Sequence, residues 1–197
     1  MSAVPMNAEP KGLEFWRLKL RAILWLLLNR REAAESEFTQ ILARWPSSAY
    51  ALASRAHVRA QLGRRDDAIV DAQALVGAHP QRSAADWFNL AFLLEEAGRY
   101  DEAEPSFRRA VELDPKLDRA WYGLGLILIR LGRLDDAVAA LKRNTELQPM
   151  SPYGWYQLAR VHMDRHEPDK VRRIIAHLKG FEPKVAAQLE RETGLVP

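Results

Sequence analysis

Two histidines four residues apart are the first residues in this chain that could do chemistry. The segment HMDRH puts His162 and His166 on one helix face, a spacing at which two imidazoles can share a zinc ion. No Glu follows His162 directly, however, and no third ligand is evident. His162 takes the place that Leu94 and Leu128 take in two related segments, so packing accounts for it. His166 falls at a turn, where His tolerates a positive φ. The paired carboxylates Asp66-Asp67, Asp101-Glu102 and Asp135-Asp136 resemble acid–base pairs. Each stands at a helix start, where negative charge suits the helix dipole. Gly123-Leu124-Gly125 lies inside a helix and cannot cradle a phosphate. The chain has no Cys, which excludes disulfides, zinc–thiolate sites and thiol catalysis. The Arg-Arg pairs at 30–31, 64–65, 108–109 and 172–173 have acidic neighbours, which argues against a nucleic-acid stripe. We therefore expect no catalytic residue, cofactor or metal, and no enzymatic activity.

The elements that carry these residues recur. Trp87, Trp121 and Trp155 are 34 residues apart, as are Pro115, Pro149 and Pro183. Pro80 lies 35 before Pro115, and Pro46 lies 34 before Pro80. Five copies result, at about 14–47, 48–82, 83–116, 117–150 and 151–184. Each reads as two helices. In the third copy Trp87, Leu90, Ala91 and Leu94 share one helix face. Gly98 ends that helix, Ala103, Phe107 and Ala110 line the next, and Pro115 stops it. One such pair cannot bury its own apolar stripe, whereas stacked pairs can. The three Trp are expected to be core residues that hold neighbouring helices together. Residues 1–12 read as a disordered lead and 185–197 as a polar-faced capping helix and tail.

These residues resemble the tetratricopeptide repeat family, whose pattern runs Trp, Leu-Gly, Ala, Phe, Pro over 34 residues. The fourth copy matches with Trp121, Leu124, Gly125, Leu128, Gly132, Ala137, Leu141 and Pro149. The resemblance spans about residues 14–184 and implies an all-α, right-handed helical-repeat solenoid. Some places depart from the pattern. Arg21 and Arg55 stand where Leu is expected, Asn29 and His166 where Gly is, and Asn144 where the third copy has Ala110. Pro105 lies inside a second helix and should bend it slightly.

The resemblance also implies a function. First helices of such repeats line a concave groove that takes a peptide or a partner helix. The places opposite the core give the candidate groove residues Tyr50, His57, Phe88, Asn89, Phe92, Arg119, Tyr122, Leu126, Tyr153, Tyr156 and Arg160. Tyr is enriched at interfaces because its body is apolar and its tip polar. Arg119 and Arg160 could take a carboxylate. Some family members grip a chaperone's C-terminal carboxylate with Lys, Asn and Arg. Asn89 and Arg119 match two of those places, but Ala53, His57 and Gly123 stand at others, so that clamp is incomplete. A non-enzymatic cytoplasmic adaptor or scaffold is the leading expectation.

The first helix suggests an alternative. Its uninterrupted apolar run, Ala22 to Leu28, is too short to span a membrane and precedes no small-residue cleavage site. Yet apolar residues surround most of it, and such a helix should be buried. Trp16, Leu20, Ile23, Leu24 and Leu27 form a candidate interface. Lys11, Arg17, Lys19, Arg21, Arg30 and Arg31 accompany them against one acid, Glu14, in residues 11–31. Expected covers are a second copy of the chain, which needs no other molecule, a partner protein, or an anionic membrane surface. The protein would then be an assembly subunit docked to a membrane or a larger complex, or a regulatory subunit of an enzyme.

Overall fold

A computed structural model describes residues 12–196. The expected lead, 1–12, lies outside the described residues except for Gly12. The fold is an all-α helical repeat with no strand among the described residues. The helices are α1 (Leu13–Leu27), α2 (Arg31–Arg44), α3 (Ala49–Gln61), α4 (Arg65–Ala78), α5 (Ala84–Glu96), α6 (Tyr100–Leu113), α7 (Asp118–Arg130), α8 (Leu134–Leu147), α9 (Pro152–Asp164), α10 (Pro168–Lys179) and α11 (Pro183–Thr193). They form two compact units. Unit 1, up to Arg99, contains α1–α5; unit 2, from Tyr100, contains α6–α11.

Local chemistry fixes the helix ends. The Ser48 hydroxyl accepts from the Ala51 N–H and that of Ser83 from the Ala85 N–H, capping α3 and α5. Proline opens α9, α10 and α11, where its missing N–H costs no helical bond. Asn29, Gly63, Gly98, Gly132 and His166 all have φ between 55° and 76°. These five residues end the first helix of each copy. Gly has no Cβ to clash there, and Asn and His are the next most tolerant choices. The acidic pairs lie in the first turns of α4, α6 and α8.

In unit 1, Phe15, Leu18, Ala22, Ala34, Phe38 and Ile41 are buried where α1, α2 and α3 meet. In unit 2, Phe107, Leu128, Leu141, Ile175, Leu178 and Leu189 are fully buried. Asn144 owes its place to a glycine. Its amide donates to the Asp118 carbonyl at 2.9 Å, and a Cβ on Gly154 would collide with its Oδ1. α6 continues through Pro105.

The tryptophans differ from expectation. They are only partly buried. Each indole N–H instead donates to the carbonyl of the preceding repeat proline: Trp87 to Pro80 at 3.0 Å, Trp121 to Pro115 at 3.0 Å, and Trp155 to Pro149 at 2.9 Å. The Trp and Pro periods coincide because the two residues close one turn. The extra residue of the second loop is absorbed without losing this bond. Trp121→Phe keeps an aromatic ring but loses the indole N–H and its bond to Pro115, so it should cost about 1 kcal/mol by urea unfolding. A cost as large as that of a buried-aromatic truncation, about 3–5 kcal/mol, would instead place Trp121 in the core.

The Arg departures are a second pairing. Arg21 reaches the buried Glu37 at 2.8 Å. Arg55 holds the buried Asp71 at 2.6 and 2.9 Å. Both pairs are 16 residues apart. In the fourth copy the same two places hold Leu124 and Ala140, both buried. An ion pair, forked at Arg55–Asp71, has thus replaced an apolar pair in the first two copies. Arg59 and Arg64 extend the network to Asp71 and Glu35.

Candidate peptide-binding surface

The candidate groove residues fall in both units, and each unit is described separately. In unit 1, Tyr50 is half-buried, with its ring edge-on to Phe15 and Phe38. Lys19 sits over its face at 4.1 Å. His57 is exposed and shares a 2.9 Å hydrogen bond with Gln61. Phe88 and Phe92 stack at 6.4 Å. Phe92 is 48% exposed, and Asn89 is exposed beside it. Tyr50 thus belongs to the α1 packing, while Phe92 presents free apolar surface.

Unit 2 gathers more. Tyr122 on α7, and Pro152, Tyr153, Tyr156 and Gln157 on α9, face Glu182, Val185 and Gln188 at the start of α11 across a cavity of about 490 Å³. That volume falls within the range of small-ligand sites, about 300–1,000 Å³. Tyr153 is 70% exposed; Tyr122 and Tyr156 are half-buried. The Tyr156 hydroxyl donates to Glu192 at 2.8 Å, and the Gln188 amide donates to Glu192 at 2.8 Å. Gln188 and then Tyr156 hold the Glu192 carboxyl below its usual range. Burial, followed by the bond to Glu192, pushes the Tyr156 phenol up. The ring is therefore fixed, with its phenol protonated. A second cavity, about 350 Å³, is lined by Tyr156, Arg160, Met163, Asp164, Glu192 and Thr193. Arg160 lies over the Tyr156 ring at 5.9 Å. Arg119 and Leu126 line neither cavity; Arg119 is exposed and Leu126 half-buried.

α11 supplies walls to both cavities, and no groove residue was expected from it. The period does contain a signal. Leu189, fully buried, lies 34 residues after Trp155. α11 thus stands where a sixth first helix would, and packs on α9 and α10.

The two histidines part company. His162 is buried and donates Nδ1–H to Glu167 at 2.6 Å. Burial lowers its pKa. Lys170, and then His162, push the Glu167 carboxyl down to about 2. Among the described residues, no three His, Cys, Asp or Glu side chains gather to hold a metal ion.

A further feature of chemical interest is α1. Phe15, Leu18 and Ala22 face inward. Leu13, Trp16, Leu20, Ile23, Leu24 and Leu27 share the other face, and all are exposed, Leu20 at 62% and Leu27 at 79%. At 100° per residue, Arg17 flanks this stripe on one edge and Lys19 on the other. Glu14 and Arg21 are engaged by Arg44 and Glu37. No helix among the described residues is long and apolar enough to cross a membrane.

Comparison with known proteins agrees with the repeat. No curated protein sequence matches the chain. Several solved structures share its fold. YrrB, a TPR protein, superposes with a TM-score of 0.78 at 18% identity, covering 91% of this chain and 98% of that one. MamA from Desulfovibrio magneticus RS-1 gives 0.76 at 17% identity, covering 94% and 100%. A tetratricopeptide repeat protein from Parabacteroides merdae gives 0.79 at 18%, covering 93% and 75%. The tetratricopeptide repeat family model matches residues 26–83 and 88–152, more than half of the sequence, and the chain belongs to that family.

Proposed function

We propose that the protein is a non-enzymatic adaptor that holds an extended peptide or partner helix on the α7–α9–α11 surface of unit 2. One observation carries this reading: three tyrosines, Tyr122, Tyr153 and Tyr156, line a single cavity together with Gln157 and Gln188. Tyrosine offers large contact area at low entropic cost, and a few such anchors dominate binding. YrrB is a TPR protein with an unusual peptide-binding site, which lends the same fold a peptide-binding precedent. The buried His162 pairs with Glu167, and Asp135 and Asp136 pair with Arg165 and Arg133, which supports a non-catalytic role. The cytoplasm is the compartment this reading assigns.

The test begins with dodecapeptides selected on the protein from a random display library. Tyr153→Ala should weaken their binding about tenfold or more with unchanged helicity, because Tyr153 is 70% exposed. Unchanged affinity would remove unit 2's cavity from the binding surface.

A second reading rests on α1. Its exposed apolar stripe with Arg17 and Lys19 at the edges has the layout of a helix that lies in an anionic membrane surface. Two such helices brought together would oppose like charges, which disfavours a second copy as the cover. In this reading α1 docks the adaptor on a membrane while unit 2 holds its client.

A further inference from the structure

The cavity in unit 2 has a chemical bias that a general peptide site does not require. Tyr122, Tyr153 and Tyr156 line it, and among the described residues Glu182 is the only charged one that does. Glu182 is the N-cap residue of α11, yet its side chain makes no cap bond. Among the described residues its carboxylate has no ion-pair or hydrogen-bond partner, although the residue is half-buried. A carboxylate without a partner, lining one cavity with three electron-rich rings, is arranged for a cation. The chain shows the same chemistry elsewhere: Lys19 lies over Trp16 and Tyr50, at 4.9 and 4.1 Å, and Arg160 lies over Tyr156.

The alternative ligand group, a terminal carboxylate, finds no host here. Arg160, the sequence's candidate for that role, lines the neighbouring cavity together with Asp164 and Glu192, two acids that answer its charge. Among the described residues, no Lys, Arg or His lines the tyrosine cavity itself.

We propose that the tyrosine cavity is a subsite for a lysine or arginine side chain of the bound peptide, with Glu182 as its counter-ion and Tyr122, Tyr153 and Tyr156 as its walls. The proposal rests on the reading of unit 2 as a peptide site. The stem of the side chain packs along the rings, and the charged head reaches Glu182. Gln157 and Gln188, which also line the cavity, can take the flanking peptide groups.

The experiment uses the full chain and the selected dodecapeptides. They should share a Lys or Arg at one position. Replacing that residue with norleucine should raise Kd about tenfold for the wild type and about twofold or less for Glu182→Gln, since the variant has already lost the counter-ion. Circular dichroism of Glu182→Gln should match the wild type, because that side chain makes no structural bond. If norleucine is tolerated by the wild type, or the peptides share an acidic residue instead, the cation subsite is overturned while the peptide site stands. If Tyr153→Ala changes no peptide's affinity, both are overturned.

Discussion

Asp71→Ala should lower the stability of the protein by about 3–5 kcal/mol, the larger of the two stability effects expected here. Asp71 is almost fully buried and accepts from Arg55 and Arg59. Deleting it leaves the Arg55 guanidinium, itself largely buried, without an ion-pair partner, and leaves Arg59 with Glu35 alone. Removing both partners is different. The double variant Arg55→Leu with Asp71→Ala recreates the Leu124 and Ala140 pair of the fourth copy. It should recover most of the loss, since a buried ion pair and a well-packed apolar pair are often nearly equivalent. Urea unfolding followed by circular dichroism measures both. A cost below about 1 kcal/mol for the single variant would mean the pair is not structural. A double variant no better than the single would mean that Arg59 and Glu35 depend on Asp71.

The second large effect concerns α1. The wild type should sediment with vesicles containing anionic lipid and much less with neutral vesicles. Trp16→Glu with Leu20→Glu should abolish that binding. α1 is about 22 Å long, so its exposed stripe can lie within the headgroup boundary without crossing it. Each Glu places a charge where an apolar side chain would insert, and both also oppose the lipid charge. Both positions are exposed, so the fold should survive. A wild type that ignores anionic vesicles but sediments as a dimer, with the double variant monomeric, would assign the stripe to a second copy instead.

Much of this molecule is legible in one sequence because its rules are local. A residue with positive φ must end each first helix, so Asn29 and His166 can be read as stand-ins for glycine. The Trp and Pro periods give the copies and the turns. What is not legible is what depends on pairs from different helices. Arg21 and Arg55 each look like a departure from the repeat until Glu37 and Asp71 are seen opposite them. The partial burial of the tryptophans follows from their bonding to a backbone carbonyl, which no side-chain pattern reports. Among the candidate groove residues, Tyr50 is drawn into the packing by Phe15 and Phe38. Glu182 and Gln188 escape notice because α11 carries no Trp, although Leu189 keeps the phase.

The central claim is that unit 2 holds a peptide between α9 and α11. Hydrogen exchange with and without a selected dodecapeptide tests it most directly, because it maps contact without altering a residue. The account predicts added protection around Tyr153–Gln157 and Glu182–Gln188, with α3 and α4 unchanged. Protection confined to α1–α5, with none on α9 or α11, would contradict it.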